Sequence, residues 1–194
     1  STITYFPFLV VASADNKIAN FPALMAQAKT NPGKVAYGTA GIGSTHHLAG
    51  ELLVSMAKVD MLHVPYRGDA GSITALLSGD VPFIIAPPTA VLTNIKAGKL
   101  KALAVTTAQR SSALPDIPAM AETLKGFEVD TWWGLVAPAN TPPAVVARLH
   151  QAFAAALNAP ETKTRFGLMM AEPVSSTPEQ FAAFMKRELT KYEP

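Results

Sequence analysis

The sequence predicts an α/β fold with a largely parallel sheet, and three observations carry that expectation. Short apolar segments rich in β-branched or aromatic residues alternate with longer segments of helical period, which is the pattern of βαβ units. These segments end at Gly, Pro or polar turns with regular spacing. From Thr141 onward the alternation gives way to helix after helix.

In chain order, strands are expected over residues 5–12, 34–39, 61–65, 81–86, 100–106 and 129–137, with helices over 21–29, 45–57, 71–77 and 89–97 between them. Trp132 and Trp133 are neighbours in the last strand and must point to opposite faces. Pro142-Pro143 then opens a helix with Val145, Leu149, Phe153 and Leu157 on one stripe at four-residue spacing. Thr177-Pro178-Glu179-Gln180 opens another, with Thr177 as N-cap and Pro178 at the first helical position, before Phe181, Phe184 and Leu189.

Composition excludes several classes of function. At ~150 residues per domain, 194 residues make one large domain or two small ones. Hydrophobic residues at 49% and charged residues at 15% describe a chain that folds. Lys plus Arg number 16 against 14 Asp plus Glu, so no basic surface for nucleic acid is expected. No apolar run approaches the ~18 to 20 residues that cross a bilayer. The absence of Cys removes disulfides, thiolate catalysis and Cys-ligated zinc. The opening residues, Ser1 to Tyr5, have neither a basic start nor a small-residue cleavage site, so no signal peptide is expected in this sequence.

One segment has unusual backbone chemistry: Tyr37-Gly38-Thr39-Ala40-Gly41-Ile42-Gly43-Ser44-Thr45-His46-His47, between an expected strand and an expected helix. Glycines let the backbone approach a ligand closely, and a helix N-terminus aims N–H groups and a positive dipole end at an anion. Ser44 and Thr45 add hydroxyls. The alternative is a plain turn with Ser44 as a helix cap; the anion site is the preferred reading.

Three competing chemistries fit poorly. A dinucleotide fingerprint requires Gly where His46 stands, and Asp60 precedes the next strand rather than following it. A Ser-His-Asp hydrolase requires a Gly-x-Ser-x-Gly elbow, whereas Gly43-Ser44 runs into Thr45-His46. A metal site at His46-His47 is disfavoured because helix neighbours point about 100° apart, one of the two being expected to face solvent, and neither Glu51 nor Asp60 completes a ligand spacing. No cofactor is expected. His63-Val64-Pro65-Tyr66-Arg67-Gly68 ends the next strand, where an open α/β sheet places ligand loops. There Arg67 could pair with a carboxylate or be a solvated charge, and Tyr66 could be packing.

In order and spacing, several segments resemble a known family. They are Asn31-Pro32-Gly33-Lys34, Tyr37-Gly38-Thr39 through Gly43-Ser44 with His47-Leu48, and His63 to Gly68. They continue with 76–81, 97–106, Leu114-Pro115-Asp116-Ile117-Pro118, 133–138 and Thr177-Pro178-Glu179. The family is that of the substrate-binding receptors of tripartite tricarboxylate transporters, the TctC-like or Bug-type periplasmic proteins.

The resemblance implies a type II periplasmic-binding-protein-like fold, with two α/β domains around a cleft that holds a small carboxylate, and no catalysis. Residues 11–128 would be the complete second domain, and residues 1–10 and 129–194 part of a first domain that is incomplete in this sequence. Family members begin with a further segment that includes a signal sequence and a Gly-rich loop for the other half of the site. Carried over, the ligand residues are Thr39, Ala40, Gly41, Gly43, Ser44 and Thr45, with Tyr66, Arg67 and Gly68 nearby. Gly41 and Gly43 would offer amides, and Ser44 and Thr45 hydroxyls. The implied partners are the carboxylate and membrane subunits of the transporter, with an exported, periplasmic location. The alternative is an α/β enzyme acting on a small organic acid.

Overall fold

Among the described residues there are two sheets, one of three strands in the order β7 (Asp130–Gly134), β1 (Thr2–Pro7), β8 (Glu172–Pro173) and one of five in the order β4 (Leu62–Pro65), β3 (Ala36–Thr39), β5 (Phe83–Ala86), β2 (Leu9–Ser13), β6 (Leu100–Val105). The computed structural model describes residues 1–111 and 114–191. The chain divides into two units, one made of Ser1–Phe6 and Trp132–Pro194, the other of Pro7–Thr131.

In the second unit the strands are β2 (Leu9–Ser13), β3 (Ala36–Thr39), β4 (Leu62–Pro65), β5 (Phe83–Ala86) and β6 (Leu100–Val105). The helices are α1 (Phe21–Thr30), α2 (Thr45–Ala57), α3 (Gly68–Ser78) and α4 (Pro88–Lys96). β3 pairs in parallel with β4 and β5, joined by helical crossovers as βαβ units require. The expectation of a largely parallel sheet needs one correction. β2 lies inside the sheet and runs antiparallel to both its neighbours, β5 and β6. Its Leu9, Val10 and Val11 are fully buried, which suits a strand covered on both faces.

The strand expected over 5–12 is also two strands, β1 (Thr2–Pro7) and β2, which meet at Phe8. Pro7 has no N–H to give a ladder, and the Phe8 amide donates to Thr106 Oγ1 at 2.9 Å instead. α3 begins at Gly68, three residues ahead of expectation, with Asp69 in its first turn where the helix dipole favours an acid. The cap signals act locally. Asn20 Oδ1 accepts the Ala23 amide at 2.9 Å, and Ser44 Oγ accepts the His47 amide at 3.3 Å.

In the first unit β1 pairs antiparallel with β8 (Glu172–Pro173), and β7 (Asp130–Gly134) is cut short of the expected Ala137. Three helices follow: α5 (Pro143–Asn158), α6 (Pro160–Leu168) and α7 (Pro178–Lys191). Thr177 Oγ1 accepts the Gln180 amide while Gln180 Oε1 accepts the Thr177 amide, a reciprocal capping box. The tryptophans take opposite faces. Trp132 sits edge-on to Phe181 and Phe184, while Trp133 lies against Phe6 and is 59% exposed. Of the stripe on α5 only Leu157 is buried; Val145, Leu149 and Phe153 remain exposed.

Candidate functional site

The site lies at the carboxyl ends of β3 and β4, where each strand turns into the N-terminus of a helix. The turn after β3 needs glycine, because Gly41 and Gly43 have φ of +137° and +77°, a region that side chains disfavour. Gly43 is exposed at the surface, and Ile42 between the two glycines is 79% exposed.

The two segments named from sequence meet through the main chain. The Tyr66 amide donates to Thr39 O at 3.0 Å, and the Gly68 amide donates to Ala40 O at 3.1 Å. These bonds extend the β3–β4 ladder beyond the strands and hold the first turns of α2 and α3 side by side. Thr39 is fully buried beneath the loop. Ala40, Gly41, Ser44, Thr45, Tyr66 and Gly68 are half-buried, and Arg67 is exposed, with no side-chain partner among the described residues.

The glycine amides do not simply face outward. Gly41 N–H donates to Thr39 Oγ1 at 3.3 Å, and Gly43 N–H donates to His47 Nδ1 at 3.2 Å. The Ser44 hydroxyl donates to Gly41 O at 2.7 Å while its oxygen caps α2, so the cap reading is met and the hydroxyl proton is engaged within the loop. The first bond of α2 runs from Leu48 N–H to Ser44 O, which leaves the Thr45 and His46 amides ahead of the intrahelical ladder.

Sequence reasoning missed the histidines. Neither His46 nor His47 faces solvent as expected for one of them; their side chains are 12% and 22% exposed. His46 Nε2 pairs with Asp69 Oδ1 of α3 at 2.8 Å. His47 stacks on His63 of β4 with ring centres 4.0 Å apart and planes at 17°. His63 Nε2 is 2.7 Å from Thr39 Oγ1. Burial lowers the His63 pKa, helped by neighbouring His47 and opposed by Glu51. The signal available in sequence was the parity of β3 and β4, which puts Thr39 and His63 on neighbouring strands but does not give their register. No cluster of metal-ligating side chains is found among the described residues.

The whole sequence, residues 1–194, matches the family described as "Tripartite tricarboxylate transporter family receptor". The chain belongs to this receptor family. Among curated relatives, this receptor chain is 36% identical over 189 residues to the "UPF0065 protein in tcbD-tcbE intergenic region" of Pseudomonas sp. (strain P51), covering 96% of the chain. It spans only 56% of that relative's length. Among solved structures it is similar to "R. palustris Rpa4515 with adipate", with a TM-score of 0.90 and 30% identity over 98% of this chain and 64% of that one. It is also similar to "Structure of periplasmic binding protein BugD", with a TM-score of 0.85 and 34% identity over 98% of this chain and 64% of that one. The receptor chain therefore has a periplasmic-binding-protein-like fold of two α/β units.

A concavity with another kind of surface lies wholly within the first unit. It is an apolar groove of about 480 Å³ lined by residues that include Val136, Leu149, Phe153 and Phe181. Its lining contains no glycine, unlike the loop after β3.

Proposed function

We propose that the protein is an extracytoplasmic receptor that binds a small carboxylate-bearing solute at the loop 39–45 and the neighbouring turn 66–68. It then delivers that solute to membrane subunits of a tripartite tricarboxylate-type transporter. The observation that carries this reading is the joining of two helix N-termini at one sheet edge by the Tyr66–Thr39 and Gly68–Ala40 main-chain bonds. Two dipole ends and their leading amides attract an anion without a buried fixed cation. Arg67 adds an exposed positive charge beside them. Family membership supports the transport role, and the similar structure that carries adipate supports a carboxylate. A periplasmic location is proposed from the same relatives.

Binding without turnover is the consistent chemistry. A nucleophilic serine passes its proton to a base, whereas the Ser44 hydroxyl donates to the Gly41 carbonyl. Two or three charge-assisted hydrogen bonds of ~1.5 to 3 kcal/mol each supply ~3 to 9 kcal/mol before the cost of association is met. Calorimetry with short mono- and dicarboxylates, adipate included, tests the proposal. Binding of neutral sugars or cations alone would refute it, and ester or amide turnover lost in Ser44→Ala would favour an enzyme of small organic acids.

A further inference from the structure

We propose that the stacked pair His47–His63 positions the Gly41–Gly43 loop for its ligand, each imidazole holding one glycine amide, directly or through Thr39. The inference rests on the reading of this loop as the ligand site and adds two residues to the set Thr39 to Thr45 and Tyr66 to Gly68.

The bonds dictate the protonation states. A backbone amide only donates, so the Gly43 N–H at 3.2 Å from His47 Nδ1 requires that nitrogen to be an unprotonated acceptor. The proton of neutral His47 is then on Nε2, which points to Glu51 Oε1 at 3.5 Å. Glu51 is itself fixed by the Tyr37 hydroxyl, which donates to the same oxygen at 2.5 Å. Burial and then the Glu51 carboxylate push the Tyr37 phenol upward, so it remains a donor throughout the physiological range. On the other side of the stack, His63 Nε2 meets Thr39 Oγ1, and the same oxygen accepts Gly41 N–H. Both amides of the Gly-x-Gly turn are thus held in place from beneath by one pair of rings.

The charged and titratable groups around the pair are Glu51 from α2, Tyr37 from β3 and the two imidazoles themselves. The two imidazoles respond differently to a proton. Thr39 Oγ1 can either donate to His63 Nε2 or accept from it, so protonating His63 keeps that contact. Protonating His47 sets two donors against each other at Nδ1 and Gly43, and the loop loses its hold. His47 is therefore a positioning residue whose action depends on its lone pair. Packing alone would be indifferent to that.

The test compares the wild-type protein with His47→Asn, whose Oδ1 replaces Nδ1 as acceptor without titrating, and His47→Leu, which fills space without accepting. Imidazole ¹⁵N shifts at pH 7.5 should show His47 with its proton on Nε2. Exchange of the Gly43 amide should be unchanged within about twofold in His47→Asn and about tenfold faster in His47→Leu. After correction for intrinsic exchange, Gly43 protection in the wild type should be lost over the pH interval in which the ¹⁵N shifts show His47 taking up a second proton, and His47→Asn should stay protected across it. Adipate affinity should follow the same order. Should His47→Leu not fold, the pH comparison between wild type and His47→Asn decides alone. A His47 proton on Nδ1 at pH 7.5, or equal Gly43 protection in wild type and His47→Asn once the ¹⁵N shifts show His47 doubly protonated, overturns the proposal. If adipate fails to bind at any pH while the Gly43 pattern holds, the carboxylate reading falls and the loop-positioning role stands.

Discussion

His46 Nε2 lies 2.8 Å from Asp69 Oδ1, tying the first turn of α2 to the first turn of α3. The His46 ring rests on Phe8, with centres 4.5 Å apart, and its buried Nδ1 has no hydrogen-bond partner among the described residues. Burial lowers the His46 pKa more than Asp69 raises it, so the contact is a hydrogen bond from a neutral imidazole.

Stability should therefore fall on mild acidification. His46 and His63 both have pKa values below the ordinary histidine value in the folded chain, so the unfolded chain binds more protons once the pH drops below ~6.5. Their contribution is complete above that pH and is lost as the pH falls toward the lowered values. Melting temperatures measured from pH 7.5 to 5 should decline, with a shallower slope in the His46→Gln, His63→Gln double variant. A melting temperature that rises over this interval would contradict the assignment.

Gly50 should not tolerate alanine. It sits inside α2 against Tyr37, and a Cβ there would enter the Tyr37 ring. Tyr37 is buried to 1% exposure, which leaves the ring little room to move. Overpacking of this kind costs about 1 to 3 kcal/mol, readable as a lower urea midpoint for Gly50→Ala. An unchanged midpoint would mean that the ring moves aside.

Gly43→Val should weaken carboxylate binding more than Ser44→Ala. A Cβ on Gly43 meets nothing within 4 Å, so its penalty comes from the φ of +77°, about 1 to 3 kcal/mol for a β-branched residue, and from crowding the ligand. Ser44→Ala removes the α2 cap, about 1 kcal/mol, and the hydroxyl bond to Gly41 O. Titration calorimetry on folded variants gives the order, and a reversed order would assign the glycines to the turn alone.

Glu122 should titrate at unusually low pH. The Arg110 guanidinium meets it through Nε at 2.7 Å and Nη2 at 2.8 Å, and with the Ala119 amide holds its carboxyl down to about 2. The stabilisation is present above the ordinary carboxylate range and is lost only as the pH falls toward 2. Carboxyl ¹³C shifts should show this midpoint, and Arg110→Gln should move it upward. A wild-type midpoint near 4 would mean that the fork does not persist in solution.

The segment 7–131 should fold by itself. It contains all five strands of its sheet and a continuous core that includes Leu9, Val11, Leu76, Ile84 and Val105. A monomer with cooperative unfolding is expected, and aggregation or absence of a thermal transition would show that it depends on the rest of the chain.

The sequence by itself determined the α/β class, the span of α2, the opposite faces of Trp132 and Trp133, and the strand–turn–helix at Gly41–Gly43. Each of these depends on residues a few positions apart, whose propensities and alternation act locally. Tertiary structure decided that β2 runs antiparallel between β5 and β6, that the Phe8 amide bonds to Thr106, and that the loops after β3 and β4 share main-chain bonds. It also decided the histidine contacts, since Asp69 is 23 residues from His46 and His63 is 24 from Thr39. Partners that far apart meet only through the register of β3 on β4 and the helices that follow, and no single segment encodes that register.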